Sequence, residues 1–187
     1  MGIEPVEAGF WGKHLVLGVT GSIAAYKAVS LLRTLKGAGA DVTVVMTQAA
    51  TRFVTPLTFE VLSGKPVITG LFDSHQEITH LSTPERAHAI IIAPATANML
   101  AKAAVGLADD ALSTMLLSAR CPLILAPAMD GDMWQHQTVS HHVEALRARG
   151  AVVLDPEVGA LASGLVAQGR LATESRILEA LSTALKA

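Results

Sequence analysis

Two apolar runs of the chain end in the same Ala-Pro-Ala triplet, and polar side chains follow each of them. The run IIIAPATAN places Thr96 and Asn98 after its triplet, and the run LILAPAMDGDMW places Asp130 and Met133 after its own. Hydroxyl, amide and carboxyl groups can bond the polar edge of a ligand, and methionine packs well against a flat ring. The two segments therefore predict two walls of one ligand crevice. A hydroxyl or an amide at a helix start also serves as a plain helix cap, which is the alternative.

A glycine-containing turn, GVTGSIAAYK at positions 18–27, supplies a third candidate site. A turn that leads into a helix presents free N–H groups to an anion, most often a phosphate. This turn lacks the G-x-G-x-x-G pattern, and the next apolar run ends in Thr47 rather than in the acid that holds a ribose. These features disfavour a nicotinamide dinucleotide. They favour a mononucleotide phosphate held by Ser22, the local N–H groups and a hydroxyl near Thr47, with a ligand-free structural turn as the alternative.

A histidine precedes the first triplet and is a candidate for the chemistry. His80 lies in EITHLSTPERAH, in the connection that should reach the same crevice, although a lone histidine is more often structural. Three other histidines have spacings of five and one, which do not place three metal ligands on one helix face: His136, His141 and His142. Asp109 and Asp110 begin a predicted helix, where carboxylates offset the helix dipole, so they are interpreted as caps.

The segments that position these residues alternate between strand and helix patterns. Strands are predicted at 14–20, 41–47, 88–94, 122–127 and 151–155, with a short one at 66–69. Helices are predicted at 23–39, 55–64, 97–106, 109–119, 138–150 and 173–187, the second with Thr55 as N-cap and Pro56 at its first position. The Gly- and Ala-rich stretch 156–171 has no clear period and is predicted as an ordered turn, a mobile flap or a plain surface loop. The alternation predicts an α/β fold, a Rossmann-like doubly wound parallel sheet in a single domain, which binds ligands at the carboxyl ends of its strands.

Composition narrows the classes of function. Of the 187 residues, 51% are hydrophobic but only 4% are aromatic, as expected for helices packed on a buried parallel sheet. A net charge of −2 without a basic run argues against nucleic acid and an anionic membrane as partners. The apolar runs are too short to span a bilayer, and the first residues lack the pattern of a signal peptide. Cys121 is the only cysteine, so no internal disulfide forms and a cytoplasmic location is expected; the thiol is predicted to pack at the start of a strand.

The motifs GSIAAYK, PATAN and PAMDGDMW, in that order and with a histidine before the second, resemble the homo-oligomeric flavin-containing cysteine decarboxylases. The resemblance runs from about Lys13 to the last helix and implies one flavoprotein domain over residues 1–187. It implies FMN as the cofactor. The residues it implies around the phosphate and ribose are Gly21, Ser22, Ile23 and Thr47, and those around the rest of the flavin are Thr96, Ala97, Asn98 and Ala128.

The resemblance also implies a reaction and its participants. Members of this family oxidise a cysteine thiol with FMN; the resulting thioaldehyde is an electron sink, so CO2 leaves and an ene-thiol forms. The implied activity here is decarboxylation of 4'-phospho-N-pantothenoylcysteine to 4'-phosphopantetheine in coenzyme A biosynthesis. His80 matches the catalytic histidine, and Asp130 with Met133 matches the substrate clamp. The implied assembly is a homotrimer or homododecamer, fused to or paired with phosphopantothenate–cysteine ligase.

Two positions depart from the family pattern. The substrate-binding Asn of the family is Asp130 here, and an ionised carboxylate repels a substrate carboxylate unless it is protonated or bonds another group. The flap cysteine that gives the last proton is replaced by Ser163, a far weaker acid, which is followed by Gly164 on the flap. Three alternatives therefore stay open: a peptidyl-cysteine decarboxylase that stops at the ene-thiol, a non-catalytic FMN-binding regulatory subunit, and a flavin prenyltransferase, against which the PAMDGDMW motif weighs.

Overall fold

The computed structural model describes residues 9–71 and 79–186, and of residues 79–82 it describes the backbone alone. Its centre is a five-stranded parallel sheet in the order β2-β1-β3-β4-β5. The strands are β1 (His14–Val19), β2 (Asp41–Met46), β3 (Ala89–Ala95), β4 (Leu123–Pro127) and β5 (Val152–Val153). The predicted doubly wound α/β architecture is therefore present, with β3 as the middle strand.

The sheet forms because its strands are apolar on both faces. Every residue of β3 is buried, and β1 is buried from Leu15 to Val19. Alternate side chains of these strands enter two separate cores, as the period of two requires. Leu17 and Ile91 belong to one core, whereas Val16 and Ile90 belong to the other. Such strands are stable only when helices cover both faces of the sheet.

Helices cover both faces of the sheet. In chain order they are α1 (Ala25–Gly37), α2 (Pro56–Ser63), α3 (Thr79–Arg86), α4 (Ala97–Val105), α5 (Ala111–Ser118), α6 (Gly131–Gln135), α7 (Gln137–Ala148) and α8 (Glu174–Ala184). Helices α1, α2 and α8 contribute to the core that contains Leu17. Helices α4, α5 and α7 contribute to the core that contains Val16. No helix in the described ranges has the length and apolar character needed to cross a membrane.

The order of strands reverses at β1, which pairs with β2 on one side and with β3 on the other. The chain adds β2 on one side of β1 and then adds β3, β4 and β5 in turn on the other side. The helices that follow β1 and β3 leave on opposite faces of the sheet, because α1 packs in one core and α4 in the other. A crevice therefore opens between the carboxyl ends of β1 and β3, the usual ligand position in such sheets.

The structure corrects several sequence predictions. Residues 156–171 contain an antiparallel hairpin, β6 (Glu157–Ala160) and β7 (Val166–Arg170), rather than a plain loop. A register shift between Glu157 and Val158 interrupts the two-residue period, which explains why the sequence showed no strand pattern. The predicted strand at 66–69 is only an isolated bridge from Ile68 to Val45. Helix α1 begins at Ala25, later than predicted, because a turn occupies residues 21–24.

Candidate functional site

Thr20 joins the two strand ends that border the crevice. Its hydroxyl donates to the carbonyl oxygen of Pro94 at 2.8 Å and accepts from the backbone N–H of Thr96 at 3.0 Å. The side chain is buried, with 1% of its surface exposed. Thr96 in turn caps α4, accepting from the N–H of Met99 at 3.4 Å. Thr20 was not among the site residues predicted from the sequence; the available signal was a hydroxyl directly after a buried strand.

The second Ala-Pro-Ala triplet lies beside the first. Ala95 pairs with Pro127 across a register shift between β3 and β4, and the N–H of Ala128 donates to the carbonyl oxygen of Ala95 at 3.1 Å. The polar residues that follow the two triplets therefore start from neighbouring points on one edge of the sheet. This is the arrangement predicted for two walls of one crevice.

The glycine turn after β1 is held by its own hydrogen bonds. The N–H of Ser22 donates to the carbonyl oxygen of Thr20 at 2.8 Å, and the Ser22 hydroxyl oxygen accepts from the N–H of Ala24 at 3.3 Å. A Cβ on Gly21 would lie 2.4 Å from the Cβ of Ala49, so the chain after β2 approaches too closely for any side chain there. Glycine at this position therefore keeps the turn pressed against the end of β2.

A cavity of about 630 Å³ opens at this edge of the sheet. Of the predicted site residues it brings together Gly21, Ser22, Ile23, Thr96, Ala97, Ala128, Asp130 and Met133. The small residues Gly21, Ala97 and Ala128 on this lining leave space suited to a flat ring. Ser22 and Thr96, which carry hydroxyl groups, line the same cavity. These residues fit the ring system and the polar tail of a flavin mononucleotide.

Four predicted site residues lie outside that lining. Thr47 follows β2, where its hydroxyl oxygen accepts from the N–H of Ala50 at 3.3 Å, and Asn98 is exposed in the first turn of α4. Ser163 is exposed between the strands of the β6–β7 hairpin. The backbone of His80 belongs to α3, but its side chain is outside the described part of the structure. The roles of these four residues stay predictions.

The segment after β4 is joined to the β6–β7 hairpin. The N–H of Met129 donates to the carbonyl oxygen of Gly169 at 3.0 Å. A Cβ on Gly169 would lie 2.2 Å from the carbonyl oxygen of Met129, and one on Gly131 would lie 2.7 Å from the Cβ of Ala167. The two backbones thus pack without intervening side chains. The hairpin contributes Ala160, Leu161, Ala162, Gly169 and Arg170 to the cavity.

Asp130 has a structural task in addition to any contact with substrate. It caps the short helix α6, where its Oδ1 accepts from the N–H of Asp132 at 3.3 Å. The side chain is partly exposed and lines the cavity. Both explanations considered for this position, a protonated acid in a buried site and a carboxylate that bonds another part of the substrate, stay predictions.

Among the residues that the structure describes, those at the opposite edge of the sheet do not line this cavity. Cys121 precedes β4 there, as predicted, and burial raises the pKa of its thiol. Asp110 caps α5 in a capping box with Ser113, which confirms one of the two predicted caps. Burial acts to raise the pKa of Asp110, but the hydrogen bonds from Lys102 and Ser113 leave it below its ordinary value. Asp109 does not cap the helix; it pairs with Lys102 at 2.6 Å.

Comparison with known proteins identifies the family. The chain matches the model of the Flavoprotein family over residues 7–186, and it therefore belongs to that family. It is 50% identical over 159 residues to the coenzyme A biosynthesis bifunctional protein CoaBC of Mycolicibacterium smegmatis, a match that covers 85% of this chain and 38% of that protein. The CoaBC protein of Escherichia coli is 41% identical over 162 residues, covering 86% of this chain and 40% of that protein. The chain thus spans well under half the length of these relatives.

Solved structures agree with this assignment. SpaF, described as an FMN-dependent cysteine decarboxylase, matches with a TM-score of 0.83 at 32% identity, over 94% of this chain and 96% of that one. A PPC decarboxylase mutant complexed with pantothenoylaminoethenethiol matches with a TM-score of 0.83 at 26% identity, over 94% and 99% of the two chains. The predicted Rossmann-like fold, the resemblance to flavin-containing cysteine decarboxylases and the prediction of an FMN-dependent enzyme are confirmed.

Proposed function

We propose that this chain decarboxylates 4'-phospho-N-pantothenoylcysteine to 4'-phosphopantetheine in coenzyme A biosynthesis. The observation that carries the proposal is the cavity at the β1–β3 crevice, which unites the three motifs on which the resemblance to the cysteine decarboxylases rests. The relatives named coenzyme A biosynthesis bifunctional protein support this substrate among those that the family accepts. Bound FMN supplies the two-electron redox chemistry that makes the substrate carboxylate a good leaving group.

The residues of this chain position the reactants. The Thr20 hydroxyl fixes the two strand ends on which the flavin rests, and the small residues Ala97 and Ala128 leave room for its ring. Met133 is 48% exposed at the rim of the cavity, where its flexible side chain can cover the substrate. The Asp130 carboxylate accepts a hydrogen bond from an N–H of the substrate, since an ionised carboxylate has no donor for the substrate carboxylate.

Proton transfers in this proposal involve two residues outside the cavity lining. His80 acts as the base near the reacting thiol, because an imidazole titrates close to neutral pH. Ser163 lies on the β6–β7 hairpin, which contributes Ala160 and Ala162 to the cavity. In this proposal Ser163 takes part in the last protonation step. Because a serine hydroxyl is a weak acid, it orders a water or the substrate rather than giving up a proton readily.

The decisive experiment is to incubate the FMN-loaded protein with phosphopantothenoylcysteine and to determine the mass of the product. Loss of CO2 alone is the expected result. His80→Asn, which keeps a polar side chain but removes the titrating group, should retain FMN and lose turnover. His141→Asn, on the exposed side of α7, is the matched control and should turn over normally. An unchanged substrate in the presence of bound FMN would contradict the proposal.

A second candidate function is favoured by one observation. The only thiol of the chain, Cys121, lies at the edge of the sheet away from the cavity, so no cysteine is available for the reductive half of the reaction. The substrate would then lose CO2, its two hydrogens would pass to bound FMN, and the reaction would stop at the ene-thiol, as in a peptidyl-cysteine decarboxylase. The same mass measurement separates the two functions, because their products differ by two hydrogens.

Assembly and a fusion partner belong to the same proposal. The resemblance implies a homotrimer or a homododecamer with the flavin between subunits, and exposed apolar side chains beside the cavity support such contacts. Ile23 and Tyr26 are each 61% exposed at its rim. The bifunctional relatives support a pairing with phosphopantothenate–cysteine ligase activity. Sedimentation should give a mass that is a multiple of three chains.

A further inference from the structure

The arginine at the end of β7 lines the cavity without a role in the chemistry described above. Arg170 shares the lining with one other cation, Lys27, and with one carboxylate, that of Asp130. Its side chain forms no hydrogen bond or ion pair with any residue in the described part of the chain. Because a guanidinium stays protonated at every physiological pH, this position carries a permanent positive charge.

The nearest carboxylate of the hairpin is engaged elsewhere. Glu157 is the cross-strand partner of Arg170, but its carboxylate forms an ion pair with Arg176 at 2.6 Å. The hydrogen bond from Arg176 is the main reason why the pKa of Glu157 lies below its ordinary value, and the charge of Arg170 is a minor one. The positive charge of Arg170 is therefore not neutralised within the hairpin.

The guanidinium lies on the face of the hairpin that packs against the segment after β4. A Cβ added to Gly159 would stand 2.5 Å from Nη1 of Arg170, so the missing side chain at position 159 makes room for the guanidinium. Gly159 pairs with Ala167, and opposite residues of an antiparallel pair point to the same face. The Cβ of Ala167 in turn lies against Gly131, where an added Cβ would meet it at 2.7 Å.

The segment after β4 also carries the wall predicted for the flavin ring. Ala128 lines the cavity and is predicted beside the ring, and the next residue, Met129, donates its N–H to the carbonyl oxygen of Gly169 at 3.0 Å. Arg170 directly follows Gly169 in β7. The close backbone contact therefore holds a permanent charge next to the predicted position of the ring.

We infer that Arg170 raises the reduction potential of bound FMN, an inference that rests on FMN as the cofactor and on no particular substrate. Oxidation of a thiol to a thioaldehyde releases the S–H proton to a base, and the C–H bond breaks with its electron pair and hydrogen passing to FMN. Reduced FMN then carries one more negative charge than oxidised FMN until it takes up a proton. A nearby cation stabilises the more negative form, so Arg170 makes FMN a stronger oxidant of the thiol.

A contact between Arg170 and the substrate carboxylate is the competing assignment. Loss of CO2 requires this carboxylate to give up its negative charge to the rest of the substrate. A cation that bound the carboxylate would stabilise the reactant more than the transition state and would slow this step. Stabilisation of reduced FMN assists the oxidation without this penalty, which favours the flavin as the group on which Arg170 acts.

The test is the reduction potential of FMN bound to the protein without substrate, measured by visible absorbance against a reference dye. Arg170→Gln should shift the equilibrium towards oxidised FMN about tenfold, which for a two-electron couple is a fall in potential of about 30 mV. Arg170→Lys keeps the charge and should retain most of the wild-type potential. Arg33→Gln, exposed on α1 and outside the lining, is the control and should leave the potential unchanged.

A further variant displaces the guanidinium without removing its charge. Gly159→Ala places a methyl group where the guanidinium lies, and the flexible side chain must move away. The potential should fall in the same direction as in Arg170→Gln, by a smaller amount. Gly37→Ala, with open space around the added methyl group, is its control and should keep the wild-type potential.

Three outcomes would overturn the inference. The first is an unchanged potential in Arg170→Gln, even with weaker FMN binding, because a residue that only holds the flavin loosens both redox forms alike. The second is an equal fall in Arg170→Lys and Arg170→Gln, which would assign the effect to packing rather than to charge. The third is an unchanged potential with weaker substrate binding, which would assign Arg170 to the substrate carboxylate.

Two further measurements keep these outcomes distinct. If Arg170→Gln releases FMN, the ratio of its affinities for oxidised and reduced FMN, compared with the wild-type ratio, gives the same shift in potential. Turnover of the wild type is measured separately, so a failed inference remains distinguishable from a failed function.

Discussion

At the scale of single residues, Thr20 connects two parts of the site that lie 74 to 76 residues apart in the chain. Its side chain is the link between the end of β1 and the start of α4, and both of its hydrogen bonds are to backbone groups. Removing the hydroxyl leaves the carbonyl oxygen of Pro94 and the N–H of Thr96 without this partner in a buried setting. Such losses are costly because the unpaired groups were stripped of water on folding.

Thr20→Val should therefore lower the free energy of unfolding by about 1–3 kcal/mol and weaken FMN binding. Valine has nearly the same shape, so the change removes the hydrogen bonds without creating a cavity. Urea denaturation and flavin titration measure the two effects. Thr20→Ser is the matched control, since it keeps the hydroxyl, and it should bind FMN like the wild type. Equal flavin affinity in Thr20→Val and Thr20→Ser would contradict this role.

Asp130 combines capping of α6 with contact to the cavity, and two substitutions separate these roles. Asp130→Asn should leave the stability almost unchanged, because Asn caps helices as well as Asp does, and it should retain turnover because its amide oxygen can still accept. Asp130→Ala should lose about 1 kcal/mol of stability and lower kcat/KM by about tenfold or more. Steady-state kinetics measure the change in kcat/KM, and thermal unfolding measures the change in stability. An Asp130→Asn variant as inactive as Asp130→Ala would show that the negative charge itself is needed.

At the scale of elements, the β6–β7 hairpin controls the position of the segment after β4. The contact between Gly169 and Met129 is so close that no side chain fits at position 169. Gly169→Ala should separate the hairpin from this segment, raise KM several-fold and lower stability. Gly37→Ala, at the end of α1 with open space around it, is the control and should be neutral or slightly stabilising. If Gly169→Ala kept a wild-type KM, the hairpin would have no part in substrate binding.

The β6–β7 hairpin is also the part of the fold that was not predicted from the sequence. The sheet and its helices follow from strong local patterns, and Thr96 and Asp110 cap the helices that the sequence placed after them. The hairpin residues are small or exposed, and their pairing depends on docking against a distant segment at Gly131. Non-local packing of this kind leaves little trace in a single sequence.

At the scale of the whole molecule, stability should fall as the solution becomes mildly acidic. Burial lowers the pKa of His14 below its ordinary value, and the charges of Lys65 and His88 act in the same direction, whereas that of Asp41 opposes them. The unfolded chain takes up a proton as the pH falls through about 6.5, whereas native His14 does so only at lower pH. The unfolded state therefore binds more protons in this pH range. The stability that neutral His14 contributes at higher pH is lost as the pH falls through this range.

His14→Gln should reduce this loss, because glutamine can bond Thr43 as the imidazole does but does not titrate. Urea midpoints measured between about pH 7.5 and pH 5.5 should fall less in His14→Gln than in the wild type. His141→Gln, on the exposed side of α7, should follow the wild-type curve. Parallel curves for all three proteins would assign the acid sensitivity to other groups.

The cavity draws its lining from four separate stretches of chain, at 21–27, 96–97, 128–133 and 160–171. A molecule that touches all four can be held only by chains in which the last strand and the hairpin have already assembled. By mass action, a flavin at 100 times its dissociation constant would then add about 2.7 kcal/mol to the stability of the entire domain. Vitamin supply would thus govern the abundance of the protein as well as its activity, because chains without flavin would be the first to reach the proteases of the cell.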